Sequence, residues 1–323
     1  MRLVFMGSPP FALPIFRRLC ESPHEVRALI TPPDRPRGRG RSVEPSELVV
    51  AAREANVDVV QPTTTKTDEF TEVLASFEPE VILVASYGEI LRDNVLNGAP
   101  HGCLNVHGSI LPRHRGAAPI QKAILDGDPT TGVSIQRIVP ALDEGDVLLS
   151  REIEIGPRET SGELFERLAD LGAEAAVAAL DLLESGDAIF TPQDHDQATY
   201  AKKLKKTDGR VSWKASCAEI DRLVRAMTPW PGARTSYVEK KGHKELVLLE
   251  VRAVELESLS PAAQMLASTG AAGTILETKG GFFVLAGDGP LEIVRLKPAG
   301  KQAMEGEAYL RGARLEPGGR LGT

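Results

Sequence analysis

Cysteine is scarce in this 323-residue chain: Cys20, Cys103 and Cys217 stand far apart. Three scattered thiols supply neither a disulfide framework nor the paired spacing of a zinc site, and they suit a reducing compartment. Long apolar runs are missing too, since none approaches the roughly 20 residues that cross a bilayer. Nor does a basic-then-apolar leader open the chain. Arg2-Leu3-Val4-Phe5-Met6-Gly7 enters a strand at once, so a cytoplasmic protein without membrane contact is expected. The first strand-to-helix turn, Gly7-Ser8-Pro9-Pro10, lacks the second and third glycines of a dinucleotide fingerprint, which argues against a nucleotide cofactor. His, Cys, Asp and Glu show no ligand spacing, so no metal is expected.

What is present is an ordinary globular composition, 42% hydrophobic, at a length comfortable for two domains. The net charge of −7 is unevenly placed. Residues 1–199 hold 18 Lys and Arg against 31 Asp and Glu, a balance of −13, whereas residues 200–323 hold 20 against 14, a balance of +6. An acidic half joined to a basic half points to a partner surface on the second.

Apolar periodicity organises the first half. Strands are expected at 2–7, 25–31, 57–60, 80–85 and 102–107, with helices at 11–20, 48–55 and 68–76 between them. The run Glu80-Val81-Ile82-Leu83-Val84-Ala85 reads as a strand buried on both faces, as in parallel sheets. Strand–helix alternation predicts an α/β fold with a doubly wound, mostly parallel, Rossmann-like sheet. Residues 133–139 and 147–155 alternate as two further strands, able to pair antiparallel about the loop at Asp143. A long amphipathic helix opens near Thr160 and runs to about Leu183. From 189 to 207 the composition turns polar and aperiodic, and reads as a linker. Beyond it, a helix over 218–227 and short strands at 233–238, 246–254, 273–277, 281–285 and 291–296 suggest a small OB-like β-barrel. The expected organisation is therefore a catalytic domain over 1–188, a linker over 189–207, a barrel domain over 208–316 and a tail over 317–323.

Two stretches carry chemistry. The first is Asn105-Val106-His107-Gly108-Ser109-Ile110-Leu111-Pro112, at the carboxyl end of the strand 102–107. Strand alternation puts Asn105 and His107 on one face, where open sheets bind ligands. About thirty-six residues on, Leu142-Asp143-Glu144-Gly145-Asp146 can fold back over the strand end. Taken singly, an Asn-x-His can be structural and an Asp-Glu-Gly an ordinary turn. Together they can gather an amide (Asn105), an imidazole (His107) and a carboxylate (Asp143) at one strand end. The second stretch is Pro32-Pro33-Asp34-Arg35-Pro36-Arg37-Gly38-Arg39-Gly40-Arg41. It can be neither helix nor central strand, so it reads as an exposed loop suited either to solvent or to phosphate. Lys202-Lys203-Leu204-Lys205-Lys206, leading into the basic half, is open to the same two readings.

The run from Asn105 through Arg113-His114-Arg115-Gly116-Ala117-Ala118-Pro119-Ile120-Gln121, together with Leu142-Asp143-Glu144-Gly145-Asp146-Val147-Leu148, resembles the signature of 10-formyltetrahydrofolate-dependent formyltransferases. The extension from Arg115 to Gln121 is most similar to the branch that acts on initiator methionyl-tRNA. The resemblance covers nearly the whole chain, including Asp288-Gly289 and Leu296-Lys297-Pro298-Ala299-Gly300-Lys301-Gln302-Ala303-Met304. It implies catalysis by Asn105, His107 and Asp143, with 10-formyltetrahydrofolate as co-substrate. It also implies folate contacts from Ser109, Ile110, Leu111 and Pro112 and from the loop bearing Tyr87, Gly88, Ile90 and Leu91. Initiator methionyl-tRNA would be gripped by Arg35, Arg37, Arg39 and Arg41, with Lys203 and Lys206 in support. With no Ser or Cys nucleophile beside the trio, direct amine attack on the formyl carbon is the expected chemistry, in a monomer. Two competing readings are a formyltransferase of small amines, such as glycinamide ribonucleotide or an amino sugar nucleotide, and a non-catalytic RNA-binding relative. His114 stands where the family usually has an aromatic residue, and Ile110 where Leu is usual.

Overall fold

The computed structural model describes residues 1–34, 44–239, 242–313 and 315–322. These fall into two compact units. The first is built from 1–119, 130–154 and 164–202, the second from 120–129, 155–163 and 203–323.

In the first unit, β1 (Arg2–Gly7) lies between β2 (Glu25–Ile30) and β4 (Val81–Ala85), with β3 (Asp58–Val60) beyond β2 and β5 (Cys103–His107) beyond β4, all parallel. Every residue of β4 is buried, which is why its sequence is an unbroken apolar run. The helices α1 (Ala12–Cys20), α2 (Glu47–Glu54) and α3 (Asp68–Ser76) connect these strands. α1 buries Ala12, Ile15, Phe16 and Leu19, spaced as one helical face. Ser46 and Thr67 cap α2 and α3 by accepting from the amides of Val49 and Phe70. Short α4 (Asp93–Leu96) precedes β5.

After β5 the sheet changes direction. A two-residue β6 (Arg115–Gly116), α5 (Pro119–Asp126) and then β7 (Thr130–Arg137) and β8 (Val147–Glu154) follow. β7 runs antiparallel to β5, and β8 antiparallel to β7, so the sheet is mostly parallel with an antiparallel margin, in the order β3-β2-β1-β4-β5-β7-β8. Of α6 (Ser161–Ser185), the part from Leu164 onward belongs to this unit and buries Leu164, Leu168, Ala173, Ala176, Leu180 and Leu183.

Two expected boundaries need correction. Residues 189–202 are not a free linker but part of the first unit. Phe190 lies under the Arg137 guanidinium at 4.4 Å, Thr191 pairs with Val147, and β9 (Tyr200–Ala201) pairs with β6. Their polar, aperiodic sequence reflects a strap that binds by its backbone and by isolated side chains, a mode that leaves no hydrophobic period.

The expected tail at 317–323 is, over the described residues 317–322, structural as well. In the second unit, α7 (Cys217–Ala226) precedes β10 (Ala233–Glu239), β11 (Gly242–Ala253), α8 (Pro261–Thr269), β12 (Ile275–Glu277), β13 (Phe283–Leu285), β14 (Pro290–Pro298), β15 (Met304–Glu305) and α9 (Gly306–Gly312). The strands form an antiparallel sheet in the order β10-β11-β14-β13-β12, with β15 on β14. Its two edges are joined by the C-terminal segment. Ile275 N donates to Gly319 O at 2.8 Å and Leu321 N to Gly273 O at 2.8 Å, while Gly322 N donates to Ser236 O at 2.7 Å. That segment bridges the two edge strands of the sheet at these points. Its anchor is Leu321, 2% exposed. Leu321→Ala is expected to lower stability by about 2–3 kcal/mol, read from urea unfolding of the full chain. A change below a few tenths would mean that the segment is only laid against the sheet.

Candidate active site

The structure brings Asn105, His107 and Asp143 together where the sheet passes from parallel to antiparallel. Asn105 stands opposite Gln136 of β7, and His107 opposite Ser134, so all four share one face. Val106, between them, is buried on the other side. The loop between β7 and β8 then returns Asp143 to the end of β5. Asp143 Oδ1 lies 3.8 Å from His107 Nδ1 and accepts from Gln136 Nε2 at 2.8 Å, and Oδ2 accepts from Gly116 N at 2.8 Å.

The tautomer of His107 follows from its other partner. Its Nε2 lies 3.1 Å from the His114 carbonyl, which only accepts, so Nε2 carries a proton. Nδ1 is therefore the ring nitrogen that faces Asp143. The half-buried Asn105 amide has no hydrogen-bond partner among the described residues, which leaves its N–H donors free for a ligand.

The turn after His107 is held from within. Ser134 Oγ donates to Ser109 O at 2.8 Å and meets Leu111 N at 3.1 Å, and Ser109 Oγ donates to Arg113 O at 2.6 Å. Ser109 is fully buried, so its side chain shapes the turn. His114 is 2% exposed with φ +58, and its amide donates to Thr199 Oγ1 at 2.8 Å. The position is a packed corner and does not present a stacking surface. Gly116 takes φ +116 with its Cα against the Ala201 carbonyl, where a Cβ would sit 2.6 Å from that oxygen. Only glycine permits both the conformation and the approach.

The loop at 86–91 divides its roles. Tyr87 and Leu91 bury their side chains among Val4, Met6, Val84 and Val95, while Ile90 is exposed. Burial, and then the nearby Glu89 charge, pushes the Tyr87 phenol up to about 12. Burial alone would raise the Glu89 carboxyl, but hydrogen bonds from Thr64 and Thr65 and the Lys66 charge outweigh it and hold the group below its ordinary value. This anchor therefore stabilises the loop above the ordinary carboxylate range and is lost as pH falls through the lowered value. Beside the loop, Ile90, Leu91, Arg92, Lys66, Asn94 and Pro140 line a cleft of about 470 Å³.

Several site residues escape sequence reasoning. Gln136 holds the Asp143 carboxylate, and its one sequence signal was a polar residue on a buried strand opposite Asn105. Arg115, 1% exposed, and Gln193 lie behind the loop. Lys203 and Lys206 are exposed in the second unit. Arg35, Arg37, Arg39 and Arg41 lie outside the described residues. Among the described residues no group of three or more His, Cys, Asp or Glu is placed to hold a metal ion, and no helix is long and apolar enough to cross a membrane.

Comparison with known proteins shows the family. A family model described as formyl transferase matches residues 1–180, and one described as formyl transferase, C-terminal domain, matches 203–314. The chain belongs to the formyl transferase family. It is 39% identical to the methionyl-tRNA formyltransferase of Desulfotalea psychrophila over 315 residues, covering 98% of this chain and 94% of that one. To the methionyl-tRNA formyltransferase of Moorella thermoacetica it is 40% identical over 323 residues, covering 100% and 99%. Among solved structures, HypX from Aquifex aeolicus in complex with tetrahydrofolic acid shares the fold at a TM-score of 0.60 and 20% identity. That match covers 96% of this chain and 47% of HypX, so the chain spans about half of that longer protein.

None of the thiols is set up as a nucleophile. Burial pushes Cys217 up to about 12, with the Asp288 carboxylate adding to it; burial and then Glu21 raise Cys20 to about 11, and burial alone raises Cys103. At about pH 8 the folded protein is expected to react slowly with a thiol reagent at all three positions, and fast on unfolding. Rapid loss of activity with one equivalent of reagent would show instead that a thiol takes part.

Proposed function

We propose that this formyltransferase moves the formyl group of 10-formyltetrahydrofolate to the α-amino group of methionine on initiator methionyl-tRNA. The observation that carries the reading is the extent of the likeness. Identity near 39–40% to methionyl-tRNA formyltransferases runs through both units, including the basic second one that a small amine substrate does not call for. The free Asn105 amide beside the His107–Asp143 pair favours an enzyme over a non-catalytic relative.

The chemistry is direct acyl transfer. The amine lone pair attacks the formyl carbon, and the carbonyl oxygen takes the negative charge, stabilised by the Asn105 N–H. His107 takes a proton from the attacking nitrogen at Nδ1 and returns it to N10 of the folate. Asp143, 3.8 Å away, stabilises the imidazolium in between. The C–N10 bond then breaks, giving the N-formylated methionyl-tRNA and tetrahydrofolate. The folate would lie along the turn of Ser109, Ile110, Leu111 and Pro112 and the loop of Tyr87, Gly88, Ile90 and Leu91. There Tyr87 and Leu91 act as scaffold, while Gly88 backbone and exposed Ile90 offer the contacts.

Asn105→Ala and His107→Ala are each expected to cost on the order of 3 kcal/mol of transition-state stabilisation, about a hundredfold in kcat, with folate binding retained. The assay is formyl transfer to charged initiator tRNA, with uncharged tRNA, glycinamide ribonucleotide and an amino sugar nucleotide as comparison acceptors. Turnover on the small amines alone would replace the tRNA reading.

The arginine-rich stretch at 35–41 is proposed to enter the acceptor stem, with Lys203 and Lys206 contributing general phosphate contacts. Its four arginines, spaced by Gly and Pro, carry the charge that phosphate recognition uses. Arg39→Ala should weaken formylation of charged initiator tRNA far more than of poor elongator substrates. Lys203→Ala with Lys206→Ala should weaken both alike and flatten the salt dependence. Equal losses for Arg39→Ala across all tRNAs would reduce it to a general phosphate contact.

A further inference from the structure

We infer that Gln193, clamped by the buried guanidinium of Arg115, is a positioning residue that sets the Asp143 loop for formyl transfer. The inference rests on the reading of Asp143 given above and extends it to the strap at 189–201, which touches no reacting atom.

The loop needs an external hold. Asp143 sits at φ +53, a conformation that side-chain-bearing residues rarely adopt. Two residues on, Gly145 lies flush against β7, where a Cβ would stand 1.8 Å from the Arg137 carbonyl oxygen. Asp tolerates this conformation better than most residues and glycine permits the close approach, so local sequence allows this path without fixing it. One side-chain amide holds the loop backbone at Asp143 and Gly145. Gln193 Nε2 donates to the carbonyls of Asp143 at 2.9 Å and Gly145 at 2.7 Å, bracketing Glu144, and lies 3.3 Å from Gln136 Oε1. On its other side Oε1 accepts from Arg115 Nε at 3.1 Å and Nη2 at 2.7 Å. Arg115 only donates and the two carbonyls only accept, so the orientation of the amide is fixed by its partners.

Arg115 is in turn aimed by Glu144 Oε1, 3.3 Å from Nη1, and by His195 Nδ1, 3.2 Å from Nη2. The ring of contacts thus closes on the loop itself through Glu144. Gln136 joins both halves, since its carbonyl faces Gln193 and its amide donates to the Asp143 carboxylate. Glutamine is the side chain this place requires. Glutamate has the reach but no donors, asparagine has the amide but is one methylene short, and Lys or Arg cannot accept from Arg115. Displacing the loop would change the 3.8 Å separation between Asp143 and His107 without touching either side chain.

The test uses the full chain with Gln193→Glu, Gln193→Asn, Asp143→Ala and the Gln193→Glu/Asp143→Ala double variant. Gln193→Glu is expected to lower kcat for formyl transfer about 10- to 100-fold, as small misplacements of reacting groups do. KM for the folate should move little, and the variant should remain fully folded at the assay temperature even where its unfolding midpoint falls. Binding of 5-formyltetrahydrofolate, as an unreactive probe, should persist. Hydrogen exchange at the Gly116 amide should rise, because its acceptor is the Asp143 carboxylate. In the Asp143→Ala background, Gln193→Glu should add no further loss, since both act through one group. Gln193→Asn keeps the amide and repeats the test should the glutamate variant prove unstable.

Undiminished kcat in both Gln193 variants would overturn the inference, as would a full additional loss in the Asp143→Ala background. Near-normal kcat for Asp143→Ala itself would instead remove Asp143 from the reaction, and with it the route by which Gln193 is said to act. The single variants distinguish the two failures.

Discussion

A fully buried guanidinium is the constraint on which the first unit turns. Removing a charge from water is costly unless every donor finds a partner, and breaking such an arrangement costs roughly 3–5 kcal/mol. Arg115 meets the demand with Gln193, Glu144 and His195. Those partners come from two distant parts of the chain, the β7–β8 loop and the strap after α6. The charge therefore acts as a fastener, because satisfying it requires both segments to be in place. The pairing of β6 with β9 and the bond from His114 to Thr199 add to the same seam.

The site is built at the seam's edge. Asn105 and His107 are placed by a buried strand with little freedom, whereas Asp143 is carried on a loop in an uncommon backbone conformation. A carboxylate that must orient an imidazole cannot be left to a mobile turn, so Gln136 and the Gly116 amide hold its oxygens. The Asn105 amide has no partner among the described residues, whereas the Asp143 carboxylate and the His107 Nε2 are engaged. In the reaction proposed above, that division would leave the protein to orient the two substrates and relay the proton.

The second unit solves a different problem. A sheet of short strands exposes two edges, and here the C-terminal segment between Ser236 and Gly273 joins them, anchored by Leu321. Residues 200–323, which make up most of this unit, hold 20 Lys and Arg against 14 Asp and Glu in a chain of net charge −7, a property of composition that needs no particular fold to be seen.

The sequence alone was enough for the elements whose signal is local. The periodicity of α1 and α3, the continuous apolar run of β4 and the alternation of Asn105 and His107 follow from 3.6- and 2-residue repeats that burial imposes. The antiparallel pairing of β7 with β8 about Asp143 was legible for the same reason. The strap at 189–201, the closing segment at 319–322 and the roles of Gln136, Gln193 and Arg115 were decided by tertiary structure. Gln193 lies 50 residues from Asp143 in the chain, within a stretch whose polarity reads as solvent exposure. Its burial is made possible by partners that no window of sequence contains. A hydrophobic residue announces its burial by its own chemistry, while a polar one is buried only when the fold brings it every partner it needs.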